Sequence, residues 1–288
     1  STRVRSSAAS DVYKRQFQNT GLHINGGNPE KKIGVSSFVI GDLQGDAKID
    51  VVLPAGYETG VIATDAVEAD LEKLSLVGPG ATGKLLRFDA ATNEISVVNA
   101  PAAEYTVNGG TSWTECDSLS DAITEMTGAS NAATHRVRLM KDANTALEIE
   151  SGTFTLDLNG HQLTPDEGAA TVLVKTGAAL TLTDGVGGGK LVGAKKQAAG
   201  SDVAGVGVSV EGSLTVTGGK PFTIQGGGNS EATGESAIEL KTGSSLQVSG
   251  TGAIRVQGGD GLDTNRGASA IHDTGATILC DNPNAVYQ

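Results

Sequence analysis

Four charged side chains of the 288-residue chain are candidates for cleaving a polysaccharide. Asp157 alternates with aliphatic residues and is therefore predicted to project outward from a strand. Asp260, Asp263 and Arg266 crowd a glycine-rich segment, with His272 shortly after them. Glycoside hydrolysis uses two carboxyl groups about 5–9.5 Å apart, one of which holds its proton more tightly. Because no stacked pair of acids recurs along the sequence, solvated loop charges are the favoured interpretation, and a polysaccharide lyase or hydrolase is the alternative.

Two segments resemble calcium-binding loops. GGDGLD at 258–263 matches the first six positions of the nonapeptide of RTX rolls, but it occurs once, whereas those rolls share each ion between tandem copies. Asp42, Gln44 and Asp46 fit positions 1, 3 and 5 of an EF-hand-like loop, but Ala47 replaces its glycine. We therefore predict no cofactor, with Ca²⁺ as the alternative.

Nothing in the sequence indicates a serine or cysteine nucleophile. The chain has no G-x-S-x-G motif, and neither Cys116 nor Cys280 stands beside a plausible base. A long repetitive region separates the two cysteines, so we expect them to lie beyond the roughly 7 Å between Cα atoms that a disulfide can span. Two free thiols are predicted, which neither supports nor excludes an extracellular setting.

The composition limits both the fold and the partners. Glycine accounts for 41 residues, whereas the chain has only one Trp, four Tyr and five Phe, so the core must be aliphatic and the turns glycine-rich. The formal net charge of −12 repels phosphate backbones and anionic membrane surfaces, so nucleic-acid binding is not expected. No apolar stretch approaches the ~18–20 residues that span a bilayer, which argues against membrane insertion of this sequence.

One phrase of sequence recurs through the second half of the chain. Each copy has a strand-like run before a shared glycine, a second run after it and a third run that ends in glycine. The copies are TVLVKTGAALTLTD (171–184), VGVSVEGSLTVTG (206–218), AIELKTGSSLQVSG (237–250) and AIHDTGATILCD (270–281), with shared glycines Gly177, Gly212, Gly243 and Gly275. Three strands per repeat predict a three-sided, all-β solenoid of stacked parallel strands.

Alternation within these runs predicts which residues face inward. Because successive coils stack at about 4.8 Å, each aliphatic side chain should sit on a similar one in the next coil. The predicted columns are Val172, Val208, Ile238 and Ile271; Val174, Val210 and Leu240; Leu180, Leu214, Leu246 and Ile278; Leu182, Val216, Val248 and Cys280; and Leu191, Ile224 and Val256. Lys175, Glu211 and Lys241 occupy equivalent outward positions, where their alternating charges would help to fix the register.

One segment, 117–128, has the pattern of an amphipathic helix. Leu119, Ile123 and Met126 repeat at helical spacing, and Ser118 is placed to cap the N-terminus. A helix at the open end of a solenoid shields strand edges that could otherwise pair with another molecule. We therefore predict that it covers the end of the core.

Several of these segments together resemble a known family. They are SLSDAI (118–123), HRVRLMKD (135–142), FTLDLNGHQLT (154–164) and GAALTLTDGVGGGKLVG (177–193), with the coils that follow. They resemble right-handed parallel β-helix segments of the pectate-lyase-like superfamily, in the form found within large, repetitive surface proteins of gut bacteria. The resemblance covers roughly 105–288 and implies an exported, secreted or cell-surface location, usually with no assigned reaction. A shared fold does not fix function.

The sequence divides into four parts. These are a non-native leader (1–16), a smaller β-strand-rich module (17–100), a junction with the cap helix (101–128) and a parallel β-helix truncated at its C-terminus (129–288). The leader is basic in an otherwise acidic chain and resembles translated cloning sequence. The module is interpreted as the end of a preceding β-helix repeat, with an independent small sandwich as the alternative.

Three variable insertions, 194–205, 227–235 and 259–268, are predicted to precede the third strand of each coil and so to share one edge. This edge is the best candidate for an interaction surface, although flexible solubilising loops are the favoured interpretation. The sequence thus predicts a non-catalytic extracellular or cell-surface solenoid for structural display or adhesion. Its partners would be a polysaccharide or a host or bacterial surface glycoprotein, together with neighbouring domains of its parent chain.

Overall fold

Short runs of alternating aliphatic and polar residues, separated by glycine-rich turns, form the strands of this protein, because β-branched side chains suit a half-buried pleated surface. The computed structural model describes residues 23–25, 49–64, 66–128, 135–199, 201, 203–228, 234–260 and 268–288. The chain divides into two compact units, 1–100 and 101–288. The leader predicted over 1–16 lies outside the described residues.

The first unit contains two small sheets. Its strands are β1 (His23–Asn25), β2 (Ile49–Val52), β3 (Gly60–Ala63), β4 (Leu74–Val77), β5 (Lys84–Asp89) and β6 (Glu94–Asn99). A 3-10 helix, Glu68–Lys73, precedes β4. Strands β1, β2 and β4 pair in parallel, whereas β6 lies between β3 and β5 and is antiparallel to both. The hairpin predicted over 85–98 is confirmed by the pairing of β5 with β6.

The second unit repeats one order of three strands. Its elements are β7 (Ala103–Thr106), β8 (Thr114–Cys116), α1 (Leu119–Gly128), β9 (Arg136–Leu139), β10 (Leu147–Ile149), β11 (Gly152–Asp157), β12 (Gln162–Leu163), β13 (Ala170–Val174), β14 (Ala178–Thr183), β15 (Lys190–Val192), β16 (Val206–Val210), β17 (Ser213–Gly218), β18 (Phe222–Gln225), β19 (Ile238–Leu240), β20 (Ser245–Gly250), β21 (Ile254–Gln257), β22 (Ile271–Asp273), β23 (Thr277–Cys280) and β24 (Val286–Tyr287).

These strands form three sheets. The first sheet has the order β23-β20-β17-β14-β11-β9-β7-β8, the second β10-β13-β16-β19-β22 and the third β12-β15-β18-β21-β24. From β10 onward the chain visits the second, first and third sheets in turn and then starts again. All neighbouring strands from β9 to β24 pair in parallel, so the unit has the stacked parallel sheets of a β-solenoid.

The predicted aliphatic columns are confirmed by the strand register. Val216 pairs with Leu182 on one side and with Val248 on the other, and all three are fully buried. The remaining columns follow the same register, including Val172, Val208, Ile238 and Ile271 in the second sheet and Leu191, Ile224 and Val256 in the third. One continuous core therefore runs between the three sheets.

The last coil departs from this pattern of burial. Ile278 and Cys280 continue the columns of Leu246 and Val248, yet both are exposed. Among the described residues no strand pairs with the outer side of β22, β23 or β24. Cys280 is therefore an exposed thiol instead of the buried small apolar residue that its column predicted. Cys116 is also free, so the prediction of two unpaired cysteines is confirmed.

The turns between the second and first sheets explain the shared glycines. Gly177 and Gly243 have φ of +86° and +84°, in the left-handed region that glycine adopts without strain. Gly212 has another reason to be glycine, because a Cβ there would lie 2.3 Å from the carbonyl oxygen of Ala178. One position of the repeat thus requires glycine for two different physical reasons.

The helix forms where the sequence predicts it. The Ser118 hydroxyl accepts a hydrogen bond from the Asp121 backbone N–H at 3.0 Å, as an N-cap should. Leu119, Ile123 and Met126 are buried in the core of the second unit. The sequence analysis treated the preceding residues as a junction, but β7 lies there and pairs antiparallel with both β8 and β9.

Candidate functional site

The three insertions share one corner of the coils. They follow the third-sheet strands β15, β18 and β21 and precede the next second-sheet strand, so the predicted position before the third strand is wrong, although the edge is shared. One backbone hydrogen bond closes the base of each insertion: Gly205 N–H to Ala194 O (2.9 Å), Glu235 N–H to Gly227 O (3.0 Å) and Ala268 N–H to Gly259 O (3.3 Å). We call this corner the insertion edge.

Glycine allows the bases of the insertions to stack directly on one another. The Gly227 N–H donates to Gly205 O at 2.9 Å, and the Gly259 N–H donates to Glu235 O at 2.8 Å. A Cβ on Gly205 would lie 2.2 Å from Gly168 O, and one on Gly259 would lie 1.9 Å from Gly227 O. The loops therefore rise from a base in which backbone packs against backbone, which keeps their starting points fixed.

Beside the insertion edge, three polar residues form an outward row on the second sheet. Ser209, Glu239 and His272 occupy equivalent positions of β16, β19 and β22. The Ser209 hydroxyl donates to Glu239 Oε2 at 3.0 Å, and Lys241 Nζ donates to Oε1 at 2.6 Å. Burial disfavours the ionised form of Glu239, but the hydrogen bonds from Lys241 and Ser209 outweigh it and hold its pKa below the usual range.

A second carboxyl group at this edge behaves in the opposite way. Glu235 closes the second insertion, and its burial raises the pKa of its carboxyl, although a hydrogen bond from the Ser236 backbone works against the shift. The charge of Glu239 raises this pKa further, and His272 lowers it. Two carboxyl groups near one row thus differ in proton affinity, which is the property that acid and base pairs exploit.

Sequence reasoning named His272 but neither glutamate. Glu239 alternates with buried Ile238 and Leu240, as any solvent-facing strand residue would. Glu235 lies at the end of a variable insertion, where its sequence neighbours carry no periodic signal. Only the pairing of consecutive coils shows that the two lie near the same row, so no signal in the sequence could have selected them.

Asp157 has a structural role in the described fold. Its Oδ1 accepts hydrogen bonds from the backbone N–H groups of Asn159 and Gly185, both at 2.8 Å. It lies at the corner between the first and third sheets. Asp260 is exposed and follows β21 at the insertion edge, three coils further on. The structure does not bring these two predicted catalytic residues together.

The remaining predicted candidates lie outside the described residues. They are Asp263 and Arg266, together with Asp42, Gln44 and Asp46 of the possible calcium loop. In the part of the chain that the structure describes, no group of three His, Cys, Asp or Glu side chains could hold a metal ion. The described residues therefore point to no metal centre.

The most heavily bonded carboxylate is one that sequence reasoning did not single out. Asp184 is almost fully buried, at 1% exposed. Its Oδ1 accepts from the backbone N–H groups of Gly160 (2.9 Å), Val186 (3.1 Å) and Gly187 (2.9 Å), and its Oδ2 accepts from that of Gly189 (2.6 Å). This side chain holds the corner between β14 and β15 and the corner of the coil before it.

The predicted ladder of alternating charges forms in a different way. Lys175, Glu211 and Lys241 do follow equivalent residues of consecutive coils. However, Lys175 pairs with Glu148 of the preceding coil at 2.9 Å, and Lys241 pairs with Glu239 of its own strand at 2.6 Å. Both lysines of this row are thus neutralised by carboxylates of the second sheet.

The single tryptophan is occupied by a cation. The Arg138 guanidinium lies 4.1 Å from the centroid of the Trp113 ring and donates from Nε to Glu104 Oε2 at 2.7 Å. This group lies on β7 and β9 and in the turn before β8, away from the insertion edge. It offers no free aromatic platform to a sugar.

The fold and the insertion edge define an all-β protein with stacked parallel sheets and loops at one corner. No protein-family model, no curated protein and no solved structure matches the chain. No helix among the described residues combines the length and apolar character needed to cross a membrane. The function must therefore be argued from the geometry.

Proposed function

We propose that this chain is a non-catalytic extracellular or cell-surface solenoid that displays loops for adhesion to a carbohydrate or a surface glycoprotein. We further propose that it is a right-handed, three-sided parallel β-helix of the pectate-lyase-like kind, as its sequence resemblance implies. The stacked parallel sheets and the aliphatic columns support this fold. Neighbouring domains of a parent chain would position such a rigid spine at a surface.

A single observation carries the adhesive function, namely the insertion edge. Three consecutive coils place their insertions at one corner, and each insertion is closed by its own backbone hydrogen bond. Solenoids keep a constant core and vary their loops on one side, which is often the binding side. Fixed loop bases reduce the entropy that is lost when the loops contact a partner.

We also propose that α1 caps the core. Its apolar face, which includes Leu119, Ile123 and Met126, is buried with Val137 and Leu139 of β9. Since β7 pairs with the outer side of β9, that strand also has no free edge within the described structure. Helix and strand together would prevent other chains from adding to this end.

Replacement of the loops tests the adhesive function. Residues 195–204, 228–234 and 260–267 would each be replaced by a short glycine turn, which retains the residues that close the insertions. Binding of the full chain and of this variant to immobilised polysaccharides and glycoproteins would then be compared. We expect binding to be lost while the circular dichroism spectrum is retained. Unchanged binding would exclude the insertion edge as the adhesive surface.

A second candidate function is a polysaccharide lyase or glycoside hydrolase. The opposite pKa shifts of Glu235 and Glu239 favour it, because a proton donor and an ionised base would then lie near one row. Release of new reducing ends or unsaturated products from pectins and host glycans would reveal such an activity. Loss of product formation in Glu235→Gln, but not in Asp260→Asn, would assign the reaction to this row.

A further inference from the structure

The third sheet has an unusual charge distribution for an acidic protein. The chain contains 33 Asp and Glu residues, yet none lies in the five strands of this sheet, β12, β15, β18, β21 and β24. Its outward side chains form two columns, Gln162, Lys190, Thr223, Arg255 and Val286, and Val192, Gln225 and Gln257. The charges on this face are therefore cationic only.

Lys190 and Arg255 stand in one column with Thr223 between them. Both cations are exposed, and neither has an ion pair or a side-chain hydrogen bond within the described structure. Strands in a sheet lie about 4.8 Å apart, so two steps along the column separate their Cα atoms by about 9.6 Å. The two charges therefore stand at a fixed interval along the solenoid.

Cations on the other two sheets of this unit contrast with this pair. On the second sheet, Lys175 lies 2.9 Å from Glu148 and Lys241 lies 2.6 Å from Glu239. On the first sheet, Arg138 is bound to Glu104. The same acidic chain thus neutralises these cations and leaves those of the third sheet available to a ligand.

The residues around the two cations suit a sugar. Gln225 and Gln257 form the neighbouring column, and each side-chain amide can both donate and accept hydrogen bonds, as the hydroxyl groups of a sugar require. Thr223 adds a hydroxyl between the cations. All three are half-buried, so their positions on the sheet are restrained before a ligand arrives.

We propose that the outward face of the third sheet binds an extended anionic glycan, with Lys190 and Arg255 contacting successive acidic groups. This inference rests on the proposed adhesive function and names a ligand class for it. The interval between the cations is close to the length of two linked sugar rings, so one acidic group per disaccharide would meet both. A nucleic acid fits less well, because its strand carries a charge about every 3.4 Å and this face supplies only two cations.

A binding assay with three glycans tests the proposal. The full chain at low ionic strength would be titrated with hyaluronan, which supplies carboxylates, with dextran sulfate, which supplies sulfates, and with neutral dextran. The test variant carries Lys190→Gln with Arg255→Gln. The control carries Lys175→Gln with Lys241→Gln, which removes the same charge from the second sheet. Circular dichroism would confirm that both variants fold.

We expect the full chain to bind hyaluronan, dextran sulfate or both, and not dextran. Each cation should contribute roughly three- to fivefold, so the test variant should bind at least about tenfold more weakly, whereas the control should change by less than about twofold. Lys190→Arg with Arg255→Lys should restore most of the affinity. The response to hyaluronan and to dextran sulfate identifies the preferred acidic group.

Three results would overturn the proposal: no binding to either anionic glycan, equal binding to dextran, or equal weakening in test and control variants. The loop-replacement variant separates this proposal from the adhesive role of the insertions. If that variant keeps its affinity for the anionic glycan, the third sheet binds independently of the loops. If it loses other partners but not this one, both surfaces bind.

Discussion

Removing the Asp184 carboxylate should destabilise the second unit more than any other single polar substitution in its described corners. Asp184→Ala removes the acceptor of four backbone N–H groups, on Gly160, Val186, Gly187 and Gly189. These groups belong to two adjacent corners, so one substitution loosens two turns. Asp184→Asn keeps the shape but turns an amide N–H₂ group toward one set of donors.

The expected size of the effect follows from the burial of the donors. The bond from Gly189 is buried, and losing its acceptor should cost about 1–3 kcal/mol. The three other bonds are half-buried, and water can replace part of each, so about 0.5–1 kcal/mol apiece is reasonable. We therefore expect Asp184→Ala to lower the free energy of unfolding by about 3–5 kcal/mol and Asp184→Asn by about 1–3 kcal/mol.

Urea unfolding followed by the fluorescence of Trp113 measures this loss, because the only tryptophan lies in the second unit. Asp260→Ala is the matched control, since its exposed carboxylate should contribute less than about 0.5 kcal/mol. If both Asp184 variants unfolded at the same urea concentration as the control, the carboxylate could not be holding the two corners. A larger loss for Asn than for Ala would also contradict the reasoning.

Three further substitutions have defined outcomes. Val216→Ala leaves a gap between Leu182 and Val248 and should cost about 2–3 kcal/mol in urea unfolding. Gly205→Ala places a methyl group against backbone and should cost about 1–3 kcal/mol, whereas Gly219→Ala, with open space around it, should stay within about 0.5 kcal/mol; equal effects would refute the packing argument. Glu239 has a lowered pKa, so its ionised form stabilises the fold above its unfolded pKa and this contribution is lost as pH falls through the folded pKa. The stability difference between the full chain and Glu239→Gln should therefore shrink between about pH 6 and pH 3, and a constant difference would show that this ionisation does not contribute.

The inward residues could be predicted from the sequence because a solenoid makes long-range order local. Leu214 and Leu246 are 32 residues apart, yet each is identified by its position relative to the nearest glycine. The period of two within a strand then fixes which side chains enter the core. No knowledge of other chain segments is needed, which is why the columns in the second unit were predicted residue by residue.

The outward and corner residues could not be predicted in the same way. Asp157 and Asp184 follow similar strands and both precede glycine-containing turns, but only Asp184 turns inward, where four N–H groups surround it. Cys280 occupies an inward column, and its exposure depends on whether a further strand covers it, a property of the whole stack. Sequence patterning fixes the side of the sheet; the surroundings of a polar side chain depend on the neighbouring coils.

The same distinction explains where function can arise in this fold. A substitution in an aliphatic column is felt by the residues above and below it, so the core has little freedom to change. Outward positions on one strand contact only their neighbours in the same column, so charge can differ from sheet to sheet. In the second unit the second sheet pairs its lysines with glutamates, and the third leaves Lys190 and Arg255 unpaired. Pairing within a sheet stabilises the register, whereas an unpaired column can contribute its full charge to a ligand, so one spine can separate its stabilising face from its binding face.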